Sequence, residues 1–159
     1  MTTIVFSRAH GQISADSRNT DSSGAATDVY KIERLKDGRY FLGSGHLLTI
    51  GKTKRWAEKH FAEKYRPEYG ELFTECAEEF RFSCLVISPD GEHVTLIDDE
   101  MEPQAVVSDF AAVGTGGAYA LGALHAGATP AEAVAIAIRL DGYSGGLVCT
   151  ETLYRGIKE

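Results

Sequence analysis

The chain has 159 residues, enough for one domain spanning 1–159 with a real core, and its 43% hydrophobic and 25% charged residues are an ordinary globular balance. A net charge of −7 argues against a general nucleic-acid or anionic-membrane binder, because both need a basic surface. No apolar run approaches the roughly 20 residues that cross a bilayer, so no membrane span is expected.

Residues 3–6 (Thr-Ile-Val-Phe) read as a short strand, and no basic segment precedes them, so a signal peptide is not expected and the location should be cytoplasmic. A turn at Gly11 leads to a second strand over 12–15. Residues 16–27 are rich in Gly, Ser, Thr and Asp and read as a loop. Apolar-rich stretches at 29–35 and 39–43 flank Lys36-Asp37-Gly38, a hairpin signal. The spacing of Leu47, Ile50, Trp56, His60, Phe61 and Lys64 predicts a helix over 46–64, which Pro67 ends. A shorter helix is expected over 68–80. Strands at 82–88 and 93–97 flank Pro89-Asp90-Gly91-Glu92, and another strand is expected over 106–113.

Gly114-Thr115-Gly116-Gly117 then opens an Ala-rich helix that ends near Gly127. Thr129-Pro130-Ala131-Glu132 is a strong helix start, with Thr at the cap, Pro at the first position and Glu at the third. That helix should run to Leu140, and closing strands are expected at 147–150 and 153–155. The order is strands, two helices, strands, two helices, strands. An α+β fold of two packed antiparallel sheets between helical layers accounts for it. The three cysteines, Cys76, Cys84 and Cys149, form no zinc pattern and read as reduced, mostly buried small hydrophobes. The five histidines show no metal-ligand spacing, so neither a metal nor a cofactor is implied.

Chemistry begins at Thr2. Removal of Met1 would leave an α-amine on the residue that carries the β-hydroxyl. Such an amine has a pKa near 8, so much of it is neutral at cytosolic pH and can take the hydroxyl proton. A dinucleotide site at Gly114-x-Gly116 fails, because Tyr119 stands at the third glycine position.

Thr2-Thr3-Ile4-Val5, then Gly11, then Asp16-Ser17-Arg18-Asn19-Thr20 resembles the start of proteasome β subunits and their bacterial relative HslV. Lys31 in Val29-Tyr30-Lys31-Ile32 stands where that family keeps a catalytic lysine. Gly43-Ser44-Gly45 resembles its oxyanion turn, and Gly114-Thr115-Gly116-Gly117-Ala118-Tyr119-Ala120 resembles a segment that enters one of its helices. Asp141-Gly142-Tyr143-Ser144-Gly145-Gly146 is similar to the Asp-Ala-Tyr-Ser-Gly-Gly of active β subunits. The five segments occur in the family's order and cover nearly the whole chain.

The resemblance implies the N-terminal nucleophile hydrolase fold, a four-layer αββα sandwich, and a threonine endopeptidase. Thr2 would be the nucleophile, Lys31 would favour developing negative charge with Asp16 as its partner, and Asp141 and Ser144 would tune the Thr2 amine. The Gly45 amide, or that of His46, would hold the oxyanion. Thr115, in place of the usual serine, and Gly116 would support the site. Thr20 would pair with an extended substrate backbone, with Asn19 and Val29 near the side-chain pocket. The family also implies stacked hexameric or heptameric homo-oligomeric rings, a polypeptide substrate and an ATP-dependent unfoldase partner. The alternatives are a catalytically silent ring subunit and a small-molecule amidase of the same superfamily.

Overall fold

The apolar strands of the sequence pair into two sheets. The computed structural model describes residues 2–59, 81–99 and 103–154. In it, β1 (Ile4–Ser7) and β2 (Gln12–Asp16) form the centre of one sheet, flanked by β10 (Phe110–Val113) and β11 (Val148–Thr152), in the order β10-β1-β2-β11. Strands β5 (Glu33–Arg34), β6 (Tyr40–Gly45), β7 (Phe82–Ile87), β8 (Val94–Asp98) and β9 (Gln104–Ala105) form the other, in chain order. Every pairing is antiparallel. Helix α1 (Leu47–Lys59) packs on the five-stranded sheet, and α2 (Gly117–His125) and α3 (Pro130–Leu140) pack on the four-stranded one. The expected αββα order of layers is the one that forms.

Strand alternation explains the layering. Ile4 and Phe6 point between the sheets, while Val5 points to α2 and α3. Likewise Tyr40 and Leu42 face the inter-sheet core and Phe41 faces α1; Leu85 and Ile87 face inward, and Cys84 and Val86 outward. Both faces of these strands are buried, which is why they read as unbroken apolar runs. Each such side chain contributes about 1.5–3 kcal/mol by leaving water.

Helix α3 starts as its sequence predicts. The Glu132 amide donates to Thr129 Oγ1 (3.3 Å), and the Thr129 amide donates to Glu132 Oε2 (2.8 Å). At the other end Asp141 caps the helix, its amide bonded to the Ala137 carbonyl (2.7 Å). The helix thereby sets where the Asp141 carboxylate begins.

Four expectations need correction. Residues 16–27 are not a plain loop: β3 (Arg18–Thr20) and β4 (Ala26–Asp28) pair as a separate hairpin. Its turn is tied by Asp21, whose carboxylate accepts from the amides of Ser23 (2.8 Å) and Ala25 (3.0 Å). The hairpin is mostly exposed and buries no apolar face, so it carries no alternation signal. In 29–35 only Glu33–Arg34 is strand. The run 106–113 shrinks to Phe110–Val113, because the chain there crosses from β9 in one sheet to β10 in the other, with Val107 89% exposed between them. Of the two closing strands, one forms, Val148–Thr152; Leu153 and Tyr154 are not in a strand, and residue 155 lies outside the described residues. The expected helix over 68–80, the end of the 46–64 helix and Cys76 lie outside the described residues. Cys84 is buried, which pushes its thiol pKa up, and Cys149 is half-buried.

Candidate active site

Thr2 precedes β1 and is almost buried. Its Oγ1 accepts a hydrogen bond from Lys31 Nζ at 2.7 Å. The same ammonium donates to Asp16 Oδ1 at 2.8 Å. Asp16 ends β2 next to the start of β1, so the antiparallel pair itself brings the carboxylate beside Thr2 and Thr3. Its side chain is fully buried but well served: Oδ1 also accepts from the Thr3 amide (2.9 Å), and Oδ2 from the Gly145 amide (2.9 Å). A buried ion pair holds together when its remaining lone pairs are satisfied in this way. Burial lowers the Lys31 pKa, against the upward pull of the Asp16 hydrogen bond and charge. The lysine is thus a more acidic ammonium than a surface one, hydrogen-bonded to a hydroxyl.

A second cluster adjoins the first. Asp141 Oδ2 accepts from Ser144 Oγ (2.6 Å) and from Thr115 Oγ1 (2.6 Å), and Oδ1 accepts from the Tyr143 amide (3.2 Å). Burial would raise the Asp141 carboxyl, but these hydrogen bonds outweigh it and hold it below its ordinary value. Ser144 Oγ also lies 2.7 Å from Thr3 Oγ1. Since the Ser144 proton goes to Asp141, Thr3 is the donor in that contact. Asp141 and Ser144 therefore meet the chain at Thr3, next to Thr2.

Glycines make room for this seat. Gly114 has φ +93°, and a side-chain carbon there would overlap the Thr2 carbonyl and lie 3.0 Å from Ser44 Oγ. A carbon at Gly116 would overlap Thr3 Oγ1, and the Gly116 amide donates to the Thr2 carbonyl at a long 3.4 Å. Gly45 ends β6 with φ +112°, where a side chain would strike the Arg81 carbonyl. The His46 amide is engaged by that same carbonyl (3.3 Å).

The structure thus brings Thr2, Asp16 and Lys31 into direct contact, and joins Thr115, Asp141 and Ser144 to them through Thr3. Gly45 follows Ser44, which reaches Gly114 beside Thr2. Asn19 and Thr20 lie on β3 of the hairpin, and Val29, 40% exposed, follows β4. Sequence reasoning missed Thr3, whose amide and hydroxyl bind both clusters, and Gly145, the second amide on Asp16. The tandem Gly145-Gly146 was the available signal, since paired glycines after a helix mark close backbone approach.

No protein-family model matches the sequence, and no curated protein matches it. Solved structures do. Eukaryotic HslV from Trypanosoma brucei is 22% identical, with a TM-score of 0.72 over 94% of this chain and 98% of that one. Thiobacillus denitrificans BPH in complex with epoxomicin is 20% identical, with a TM-score of 0.69 over 97% of this chain and 100% of that one. A second structure of Thiobacillus denitrificans BPH is 21% identical at a TM-score of 0.67, over 96% of this chain and 99% of that one. This chain therefore has the fold of HslV and BPH, a four-layer αββα sandwich.

Proposed function

We propose that the chain is a self-compartmentalising threonine endopeptidase whose nucleophile is Thr2 after Met1 is removed. The observation that carries this reading is the contact of Thr2 Oγ1 with the buried Lys31–Asp16 pair, at 2.7 and 2.8 Å. Fold likeness to HslV, and to BPH in complex with epoxomicin, supports it.

In this mechanism Thr2 Oγ attacks the peptide carbonyl while its proton passes to the Thr2 α-amine. The Lys31 ammonium stabilises the charge left on the hydroxyl oxygen, and its field keeps the nearby amine from holding a proton too tightly. The carbonyl oxygen, now negative, is held by the Gly45 amide; His46 is the weaker choice because its amide already serves Arg81. The C–N bond breaks as the amine proton moves to the leaving nitrogen. Water then attacks the ester, frees the new carboxyl end and restores Thr2. Asp141 and Ser144 hold the start of β1 in place through Thr3, with Thr115 and Gly116 behind them. Thr20 offers its backbone to an extended substrate, and Asn19 and Val29 border its side chain.

Stacked hexameric or heptameric rings of identical subunits, an ATP-dependent unfoldase and a cytoplasmic location complete the proposal. Among the described residues, no helix is long and apolar enough to cross a membrane. Incubating wild type and Thr2→Ala with a fluorogenic peptide and with unfolded casein tests the reading. Wild type should cleave both, and the variant should lose at least about 100-fold. Equal turnover by the two would remove Thr2 from the mechanism. Cleavage of a simple amide but not of casein would instead indicate the amidase.

A further inference from the structure

Lys31 sits in a stretch, residues 29–32, that belongs to no strand. On its N-terminal side the β3–β4 ladder stops at Asp28, so that ladder does not reach its backbone. What does fix it is Ser17, a residue the mechanism above does not use. Ser17 is 3% exposed, and each of its polar atoms is engaged. Its amide donates to the Gly145 carbonyl (3.2 Å), and its carbonyl accepts from the Val29 amide (2.8 Å). Its hydroxyl donates to Asp28 Oδ1 and accepts from the Leu147 amide (2.7 Å). Gly146 has φ +76°, and a side-chain carbon there would overlap both Ser17 Oγ and Asp28 Oδ1. The backbone is therefore bare where the serine and the carboxylate meet.

The connectivity gives this junction its meaning. Ser17 follows Asp16 directly. Asp28 and Val29 lie three and two residues before Lys31. Gly145, which donates to Asp16 Oδ2, lies two residues before Leu147. One serine thus ties together the three segments that carry Asp16, Lys31 and the amide serving Asp16. We propose that Ser17 and Asp28 are positioning residues: their clamp sets the separation of Lys31 from Asp16 and Thr2, and carries the β3–β4 hairpin with it. Asp28 is exposed, so nothing in core packing demands a carboxylate there. Bonding the buried Ser17 hydroxyl is the contact that accounts for it.

The catalytic consequence rests on the threonine-peptidase reading, but the placement of Lys31 does not, and two measurements separate them. The first needs no activity: brief acylation with acetic anhydride, with Lys31 modification read by mass spectrometry relative to exposed Lys59. Ser17→Ala and Asp28→Ala should raise Lys31 modification at least about threefold, and Asp28→Asn, which keeps the acceptor, should restore protection. The second is steady-state peptide hydrolysis. Ser17→Ala and Asp28→Ala should lower kcat about tenfold with KM within about twofold, and Asp28→Asn should recover most of kcat. If Ser17→Ala does not fold, the Asp28 pair alone decides. Unchanged Lys31 modification in Asp28→Ala overturns the clamp, whatever the activity. A protected, inactive wild type whose Asp28→Ala variant exposes Lys31 supports the clamp and overturns the peptidase reading instead.

Discussion

Lys31 Nζ bridges two oxygens, the Thr2 hydroxyl and the Asp16 carboxylate, and both contacts fall within charge-assisted hydrogen-bond range. Removing the ammonium should therefore act on chemistry more than on the fold, since Asp16 keeps two backbone amides. Lys31→Ala should lower peptide hydrolysis at least about 100-fold. Denaturant unfolding should show a loss of about 2 kcal/mol with the cooperative transition retained. Retained activity would reject the role given to Lys31. These residues were legible in the sequence because each stands in a short motif whose order is informative. Thr3 and Ser17 were not. Their importance lies in which backbone amides and hydroxyls they meet across more than 100 residues of chain, and residue type alone does not encode that.

Glycine turns at the ends of elements set the seat of Thr2, and one of them makes a controlled comparison with a glycine away from it. Gly24 (φ +86°) turns the β3–β4 hairpin with nothing within 4 Å of a side-chain carbon; Gly114 (φ +93°) turns against the Thr2 carbonyl. Alanine at 24 should cost only the left-handed backbone strain, about 1 kcal/mol, with activity unchanged. Alanine at 114 adds a collision with the chain start and should cost about 3 kcal/mol, with hydrolysis lost. Equal effects in thermal and denaturant unfolding would show that the Gly114 contact is unimportant. The same contrast explains which elements the sequence revealed. β1, β6 and β7 bury both faces and stand out as apolar runs. The β3–β4 hairpin buries no apolar face, and residues 106–113 span two sheets, so neither pattern marks its strand limits.

At the scale of the molecule, four layers place the start of β1, the end of β2, the end of β6 and the turn after α3 around one point. The order of strands and helices made that architecture readable, whereas their convergence on Thr2 follows from pairing and packing. Large apolar side chains remain exposed at the start of α1 (Leu47 67%, Leu48 60%) and after α3 (Tyr143 63%, Leu147 67%). Ring assembly would cover such surface. Sedimentation velocity at micromolar concentration should give one large species matching stacked rings, and a persistent monomer would contradict the assembly. The most direct test of the whole account is intact-mass analysis before and after an electrophilic inhibitor of N-terminal threonine. A chain lacking Met1 should gain one adduct at Thr2, and Thr2→Ala should gain none. Retention of Met1 with no adduct, or equal labelling of Thr2→Ala, would contradict it.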